Sequence, residues 1–281
     1  MKYKLLNEIG KGSFGTVYLS IDKISKKEFA LKIINNDSKG NIELDIHNIF
    51  SNSQNANLFA PSIIETFTSN RHIYIVMELM HMNLEEIYIL NNRSFNKPTI
   101  YKLFLDMINS LNLLHQLGFI HRDIKPQNFM IKLDENKCCK LVLIDYGLSK
   151  KYIIQGKHIE YKTELNFVGS LKFASLNAHK LIEQSRRDDM ESICYVIIYL
   201  FLGSLPWKIC TNDINSIKIN KIGTLINNLD IDVSIKSYIR YVKSLKFSDE
   251  PNYDYLNKII HNYCRYNKIV PNYEWNINNV A

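Results

Sequence analysis

The stretch that decides the fold is Ile120-His121-Arg122-Asp123-Ile124-Lys125-Pro126-Gln127-Asn128, near the middle of a chain of 281 residues. It sets an aspartate, a lysine and an asparagine at short intervals in a polar loop that follows an apolar segment. Phosphoryl transfer needs a carboxylate that orients a hydroxyl nucleophile, a cation near the transferred group and oxygen ligands for Mg²⁺. We therefore expect Asp123 and Lys125 to be catalytic and Asn128 to be a metal ligand.

A second acidic loop follows at Leu143-Ile144-Asp145-Tyr146-Gly147. Because Mg²⁺ prefers hard oxygen ligands, the carboxylate of Asp145 and the amide of Asn128 predict a magnesium site. A single short match of this kind is better explained as a polar loop that joins apolar segments. The prediction gains weight because several such elements occur in order along the chain.

A glycine-rich turn lies at Gly10-Lys11-Gly12-Ser13-Phe14-Gly15, near the start of the chain. Glycines at these positions let backbone N–H groups approach a phosphate without interference from a Cβ atom. The same pattern occurs in dinucleotide-binding folds, but there a helix follows the glycines. Here Thr16–Ile21 has the alternation of a strand, which favours a nucleotide-covering hairpin.

Lys32 ends the apolar run Phe29-Ala30-Leu31, and Glu43 follows in a short helical pattern. A lysine at the end of a strand can hold the α- and β-phosphates of a nucleotide if a carboxylate steadies its ammonium group. Either residue alone would usually be a solvated surface charge. Together with the glycine-rich turn, Lys32 and Glu43 predict a second part of the catalytic machinery.

The hydrophobic pattern changes along the chain from strand-like to helical. We predict strands at Tyr3–Ile9, Thr16–Ile21, Glu28–Ile34 and Ile73–Leu79, with one helix around Asn41–Phe50. Helical spacing then dominates from Leu84 onward. The predicted fold class is α+β, with a β-rich N-lobe (about 1–79) that contains one helix, a hinge (about 78–83) and a mainly α-helical C-lobe (about 84–281).

The amino-acid composition and the net charge limit the classes of protein to which the chain can belong. Hydrophobic residues make up 46% and charged residues 22%, as in ordinary globular proteins. Five cysteines form no C-x-x-C pair, so an intracellular location in the cytoplasm, with or without the nucleus, is expected. No segment has the pattern of a signal peptide or membrane anchor. The net charge of +7 favours anionic partners, and a nucleic-acid binder is one alternative, although we find no base-reading element and expect no specific nucleic acid.

Taken together, these elements are the signature set of protein kinases, and the chain resembles the casein kinase 1 family most closely. Ser175-Leu176-Asn177 occupies the place of the Ala-Pro-Glu triplet of most kinases, where this family has Ser-Ile-Asn. Further similar stretches are Lys150–Tyr152, His158–Tyr161, Gly169–His179, Glu183–Ser192, Leu202–Trp207 and Leu245–Leu256. The resemblance implies one bilobal kinase domain over residues 1–281, ATP and Mg²⁺ as cofactors, and transfer to Ser or Thr of proteins. A pseudokinase scaffold that binds nucleotide or partners without turnover is the alternative.

The resemblance also implies the nucleotide contacts. Met77 would be the gatekeeper, and the backbone of Glu78-Leu79-Met80 would meet the adenine edge. Since a nucleotide pocket is mostly apolar, its walls would also be ordinary core positions of strands. The remaining implied contacts are Ile9, Gly10, Gly12, Ser13, Gly15, Val17, Ala30, Lys32 and Ile144.

The resemblance implies protein substrates with acidic or phosphorylated residues upstream of Ser or Thr, and a monomeric enzyme. Guanidinium groups bind phosphate with two parallel N–H donors, so Arg186 and Arg187, with Lys172, are the predicted anion pocket. The alternative is that one arginine only pairs with a neighbouring carboxylate. The second basic cluster of the family falls on Cys210–Gly223, where two lysines make a second anion site doubtful.

Overall fold

The fold was analysed in a computed structural model that describes residues 2–12, 15–51, 60–133, 139–207 and 229–275. The chain divides into two compact units, one formed by Met1–Met82 with Met130–Ser149 and one by Asn83–Phe129 with Lys150–Ala281. Met130–Ser149, which carries Asp145, thus clusters with the β-rich first unit, whereas the sequence pattern had placed it with the helical lobe. The predicted segment Cys210–Gly223 and Ser13 lie outside the described residues.

The first unit is built on an antiparallel sheet with the strand order β1-β2-β3-β5-β4. Its strands are β1 (Tyr3–Lys11), β2 (Gly15–Asp22), β3 (Glu28–Asn35), β4 (Ile63–Thr68) and β5 (His72–Met77). One helix, α1 (Ser38–Ser51), follows β3. Because side chains alternate between the faces of a strand, Ile34 and Leu31 of β3 enter different apolar clusters.

Short elements complete the list of strands. They are β6 (Met82–Asn83), β7 (Phe119–Ile120), β8 (Phe129–Leu133), β9 (Cys139–Leu143), β10 (Lys150–Lys151), β11 (Ile153–Ile154) and β12 (Lys157–His158). Strand β8 pairs with β9, and the antiparallel pair β7–β10 places Ile120 opposite Lys150. One-turn 3-10 helices lie at Pro126–Asn128 and Tyr146–Leu148, directly after the two predicted functional loops.

The second unit contains six α-helices among its described residues. Its helices are α2 (Leu84–Leu90), α3 (Lys97–Gln116), α4 (Leu176–His179), α5 (Arg186–Leu202), α6 (Val233–Ser244) and α7 (Tyr253–Tyr266). Helix α3 begins at a side-chain cap, since Asn96 accepts a hydrogen bond from the N–H of Thr99. Helix α5 ends at Gly203, which has a φ of 78° that favours glycine.

Helix α5 is the centre of the second unit, because it packs against α3, α4 and α6. Its residues from Asp188 to Ile198 are all buried, so this part of the helix is enclosed on every side. Among the described residues, no helix combines the length and apolar character that crossing a bilayer requires.

Candidate active site

Lys32 is the centre of an ion-pair network in the first unit. Its Nζ lies 2.6 Å from Oε1 of Glu43 and 2.8 Å from Oδ1 of Asp145, and it donates a hydrogen bond to each. Strand β3 supplies the lysine, α1 the glutamate and the loop after β9 the aspartate. The predicted pair of Lys32 and Glu43 is therefore in contact, and the predicted metal ligand Asp145 joins it.

The charges of Lys32 and Glu43 are stable near neutral pH. Burial alone would lower the pKa of Lys32, but the carboxylates of Glu43 and Asp145 outweigh burial and raise it. Burial would likewise raise the pKa of Glu43, yet the ammonium of Lys32 and a hydrogen bond from His47 lower it to about 2. The network therefore presents a fixed cation, which suits the binding of nucleotide phosphates.

The glycine-rich turn lies beside Asp145. The N–H of Gly12 donates to the carbonyl of Gly15 at 2.9 Å, and a Cβ on Gly12 would stand 3.9 Å from Oδ2 of Asp145. Gly15 needs to be glycine, because an added Cβ would lie 2.3 Å from the carbonyl oxygen of Ile33 on the paired strand. The turn thus holds backbone groups close to the acidic loop.

Four of the predicted adenine contacts share one apolar cluster in the first unit. Ala30 and Met77 are buried members of this cluster, and Val17 and Leu79 pack against it while partly exposed. Such a half-open apolar surface can accept an aromatic base. Of the other predicted contacts, Ile9 is 49% exposed. Gly10, Glu78, Met80 and Ile144 are partly buried.

Asp145 adopts a left-handed backbone conformation, with φ 65° and ψ 74°. Non-glycine residues adopt it mainly where the surrounding structure holds them in place, as in active sites. Here the side chain of Asp145 is held by Lys32. Its Oδ1 is occupied by the ammonium, so Oδ2 is the carboxylate oxygen that remains for a metal ion.

Tyr146 follows Asp145 and is fully buried, so its hydroxyl group needs a partner. The structure supplies one, because the hydroxyl donates to the carbonyl of Leu143 at 2.8 Å. The ring packs edge-on against His47 and at a tilt against Phe50, both on α1. Tyr146 therefore joins the acidic loop to the helix that carries Glu43.

Asp123, Lys125 and Asn128 come together in the second unit, as the first stretch predicts. Nζ of Lys125 donates to Oδ2 of Asp123 at 2.6 Å. The amide nitrogen of Asn128 donates to the carbonyl of Asp123 at 2.8 Å and to its Oδ2 at 3.1 Å. Because these bonds fix the orientation of the amide, Oδ1 of Asn128 is the atom left for a metal ion.

Ser170 is a residue of this loop that sequence reasoning missed. Its hydroxyl donates to Oδ1 of Asp123 at 2.6 Å, so both carboxylate oxygens of Asp123 accept hydrogen bonds. The preceding Gly169 has a φ of 115°, and a Cβ there would lie 2.6 Å from the carbonyl oxygen of Arg122. The Gly-Ser pair was a usable signal, because only glycine fits this close approach.

From α5, Asp189 anchors the loop that carries Asp123. Its carboxylate accepts hydrogen bonds from the backbone N–H groups of His121 at 2.7 Å and Arg122 at 2.8 Å. Arg122 has a φ of 67°, a strained conformation that these bonds help to hold. The neighbouring Asp188 is also buried, and it caps α5 by accepting a hydrogen bond from the N–H of Ser185.

His115 supports Asp189 from α3 and gives stability a pH dependence. Its Nε2 lies 2.9 Å from Oδ2 of Asp189, and its Nδ1 lies 2.6 Å from the hydroxyl of Tyr253. Burial lowers the pKa of His115 below the ordinary 6.5, although Asp189 opposes this shift. The unfolded chain therefore takes up the proton first as the pH falls.

We expect the stabilisation from neutral His115 to be complete above pH 6.5 and to be lost as the pH falls toward the lowered pKa. Between about pH 7.5 and pH 5.5, the free energy of unfolding of the wild-type protein should fall relative to that of His115→Gln, which cannot take up the proton. Urea denaturation of both proteins at the two pH values measures this. Equal decreases would contradict the assignment to His115.

Arg186, a residue of the predicted anion pocket, makes contacts within the protein. Its guanidinium is buried, donates to the hydroxyl of Tyr152 at 3.2 Å and to the carbonyl of Ser248 at 3.0 Å, and stacks over the Tyr152 ring. Two of its donor groups are thus used within the protein, which joins Arg186 to Tyr152, and Tyr152 in turn donates to the carbonyl of His115 at 2.6 Å. The anion pocket stays a prediction for Arg186, whose guanidinium is largely engaged by these contacts.

Arg187 and Lys172 are placed differently from Arg186. Arg187 is partly buried, with Nη1 donating to the carbonyl of Leu245 at 3.2 Å and Nε 3.7 Å from Asp188. This ion pair matches the alternative in which one arginine pairs with a neighbouring carboxylate. Lys172 is exposed, so its ammonium can reach an external anion. The anion pocket stays a prediction for Arg187 and Lys172.

The protein kinase domain family matches residues 3–267, which is most of the chain. This match agrees with the sheet-bearing first unit, the helical second unit and the two loops that carry Asp123 and Asp145, and the predicted α+β kinase fold is confirmed. The family match also supports ATP, with Mg²⁺, as the ligand of such a domain. The chain therefore belongs to the protein kinase family.

Proposed function

We propose that this kinase is catalytically active and transfers the γ-phosphoryl group of ATP to Ser or Thr of proteins, as an enzyme of casein kinase 1 type. The observation that carries the proposal is the contact of Lys32 with both Glu43 and Asp145. A pseudokinase commonly lacks one of these charges or leaves them apart. Here the lysine is paired in a way that agrees with phosphate binding.

The residues of each unit have separate tasks in the proposed reaction. Lys32 binds the nucleotide phosphates, and the apolar cluster around Ala30 and Met77 takes the base. Asp123 orients the substrate hydroxyl and accepts its proton as the oxygen–phosphorus bond forms and the bond to the β-phosphate oxygen breaks. Lys125, already paired with Asp123, offsets the charge of the transferred group.

Asp145 and Asn128 fit the role of magnesium ligands. Each offers a hard oxygen, Oδ2 of Asp145 and Oδ1 of Asn128. The other polar atom of each side chain is hydrogen-bonded within its own unit, Oδ1 of Asp145 to Lys32 and the amide nitrogen of Asn128 to Asp123. When bound, Mg²⁺ supplies neutralisation of the phosphate charge. Within each unit, these hydrogen bonds fix the orientation of the oxygen that the unit offers.

The assignment to the casein kinase 1 type is supported by the triplet Ser175-Leu176-Asn177. The Ser175 hydroxyl donates to Oδ1 of Asp188 at 2.7 Å, and the Asn177 amide donates to the same oxygen at 3.0 Å. Two of the three residues that replace Ala-Pro-Glu therefore bind a buried carboxylate of α5. In this chain, the hydroxyl and the amide of the triplet therefore link it to α5 by hydrogen bonds.

The test of residue specificity is phosphorylation of casein by the purified protein with γ-labelled ATP, followed by phosphoamino acid analysis. Phosphoserine and phosphothreonine are expected. Label on tyrosine alone would contradict the Ser/Thr assignment. Binding of ADP without transfer to casein or to any peptide substrate would favour the pseudokinase alternative.

Substrate preference is tested by one peptide in three forms, with phosphoserine, aspartate or alanine upstream of the acceptor serine. We expect kcat/KM to fall in that order, by roughly tenfold from the first to the last, because a charge-assisted hydrogen bond is worth about 1.5–3 kcal/mol and exposure reduces it. Lys172→Ala should shrink the difference, whereas Lys246→Ala, another exposed lysine, should not. Equal rates on all three peptides would contradict the preference and leave the kinase assignment intact.

A further inference from the structure

Lys132 lies on β8, outside every motif that points to the kinase family. Its Nζ donates to Oγ of Ser62 and to Oε1 of Glu78, each at 2.7 Å. Glu78 begins the segment that is predicted to meet the adenine base. The ion pair is largely shielded, since the side chains of Lys132 and Glu78 are 18% and 23% exposed.

The same three residues close a network at one end of the sheet. Strands β4 and β5 are paired at Ile63 and Met77, and Ser62 and Glu78 are the next residue on each side. The N–H of Glu78 donates to the Ser62 carbonyl at 3.0 Å, and the N–H of Ser62 donates to Oε1 of Glu78 at 2.7 Å. The Glu78 carboxylate thus adds a hydrogen-bonded pair, Ser62 with Glu78, to the end of the β4–β5 ladder. Lys132 forms an ion pair with the same carboxylate.

The backbone beyond this network is not used by the sheet. Within the described residues, Leu79 and Met80 make no hydrogen bond from their backbone groups to another backbone group. The Leu79 side chain nevertheless packs against the apolar cluster that contains Ala30 and Met77. One end of the segment is therefore fixed, and free backbone donors and acceptors follow directly after it.

We propose that Lys132 is a positioning residue for nucleotide binding, which acts through Glu78 to hold the Glu78–Met80 backbone where the adenine edge binds. This inference rests on the proposed function. Without Lys132, the partly buried Glu78 carboxylate loses its charged partner and moves toward water. The backbone groups of Leu79 and Met80 then lose their fixed position. Nucleotide binding weakens, because part of the binding free energy is used to order this backbone again.

The test is Lys132→Met, which keeps the length and the apolar stem of the side chain. We expect KM for ATP and the dissociation constant of ADP to rise about five- to tenfold, because a charge-assisted hydrogen bond in a partly exposed site is lost. The kcat value and KM for the peptide substrate should stay within about twofold, since the loop with Asp123 is unchanged. Steady-state kinetics and calorimetric titration with ADP give these values.

Three further variants separate positioning from general stability. Lys132→Arg keeps the charge and should restore most of the ATP affinity. Lys2→Met breaks another lysine–glutamate pair of the same unit, Lys2 with Glu65 at 3.1 Å, and should leave KM for ATP unchanged. The double variant Lys132→Met/Glu78→Gln should raise KM no further than Lys132→Met does, because both changes remove one interaction.

An unchanged KM for ATP in Lys132→Met would overturn the inference, whether or not the melting temperature falls. A parallel rise of the ATP and peptide KM values, or an equal effect of Lys2→Met, would also overturn it, since either indicates a general loss of structure. If the wild-type protein itself binds no ADP, the proposed function is wrong, and the inference about Lys132 is wrong as well. If the wild-type protein binds ADP and phosphorylates casein, the proposed function holds, and the variants then test the role of Lys132 alone.

Discussion

Asp145→Asn is expected to reduce kcat for casein phosphorylation on the order of 10³-fold while the protein remains folded. The substitution removes the negative charge from the carboxylate that we assign to Mg²⁺, and an amide is a much weaker ligand for that ion. It also removes one of the two anions that hold Lys32, the one at 2.8 Å. Both changes act on the nucleotide phosphates and leave the loop with Asp123 alone.

The fold should survive Asp145→Asn, because Lys32 keeps Glu43 at 2.6 Å and the side chain at position 145 is 30% exposed. A melting temperature within a few degrees of wild type is therefore expected. Asp254→Asn, at an exposed position of α7, is the matched control and should keep full activity. Phosphorylation by Asp145→Asn at the wild-type rate would contradict the assignment of this residue.

Asp123→Asn is expected to lower kcat by about 10²- to 10⁴-fold, the range for loss of a group that handles the proton. Both carboxylate oxygens of Asp123 accept hydrogen bonds, from Ser170 on one side and from Lys125 and Asn128 on the other. The new NH₂ group would face one of these donors, so a local loss of about 1–3 kcal/mol in stability is also expected.

The measurement that separates these effects is a titration with ADP beside the kinetic assay. Asp123→Asn should bind ADP with nearly wild-type affinity, because the residues around Lys32 lie in the other unit. Asp249→Asn, a surface aspartate near the end of α6, is the control for removal of a charge. Retention of most of the wild-type kcat by Asp123→Asn would show that Asp123 is not the group that orients the hydroxyl.

Sequence patterns were sufficient for the local part of this account. The β-branched and aromatic residues of Glu28–Ile34 predict a strand, which the structure contains as Glu28–Asn35. The helical spacing from Leu84 onward predicts helices, of which Lys97–Gln116 is one. Strand β4 (Ile63–Thr68) was missed, because its burial does not alternate and it has no clear hydrophobic period. The contact of Lys32 with Glu43 was predictable because the motif order specifies both residues.

Contacts between distant positions could not be read from any period or motif. Glu78 meets Lys132 and Ser62 only because the strands bring them together. Arg186 was predicted to line an anion pocket, and no sequence pattern indicated that its guanidinium donates to the Tyr152 hydroxyl and the Ser248 carbonyl. In both cases tertiary packing decides the partner of a charged side chain, and composition gives no sign of it.

The most direct test of the central claim is transfer of label from γ-labelled ATP to casein by the purified wild-type chain, with Mg²⁺ and with excess EDTA. The account predicts time-dependent label on casein with Mg²⁺ and none with EDTA. Absence of label under both conditions, in a folded protein that binds ADP, would contradict it.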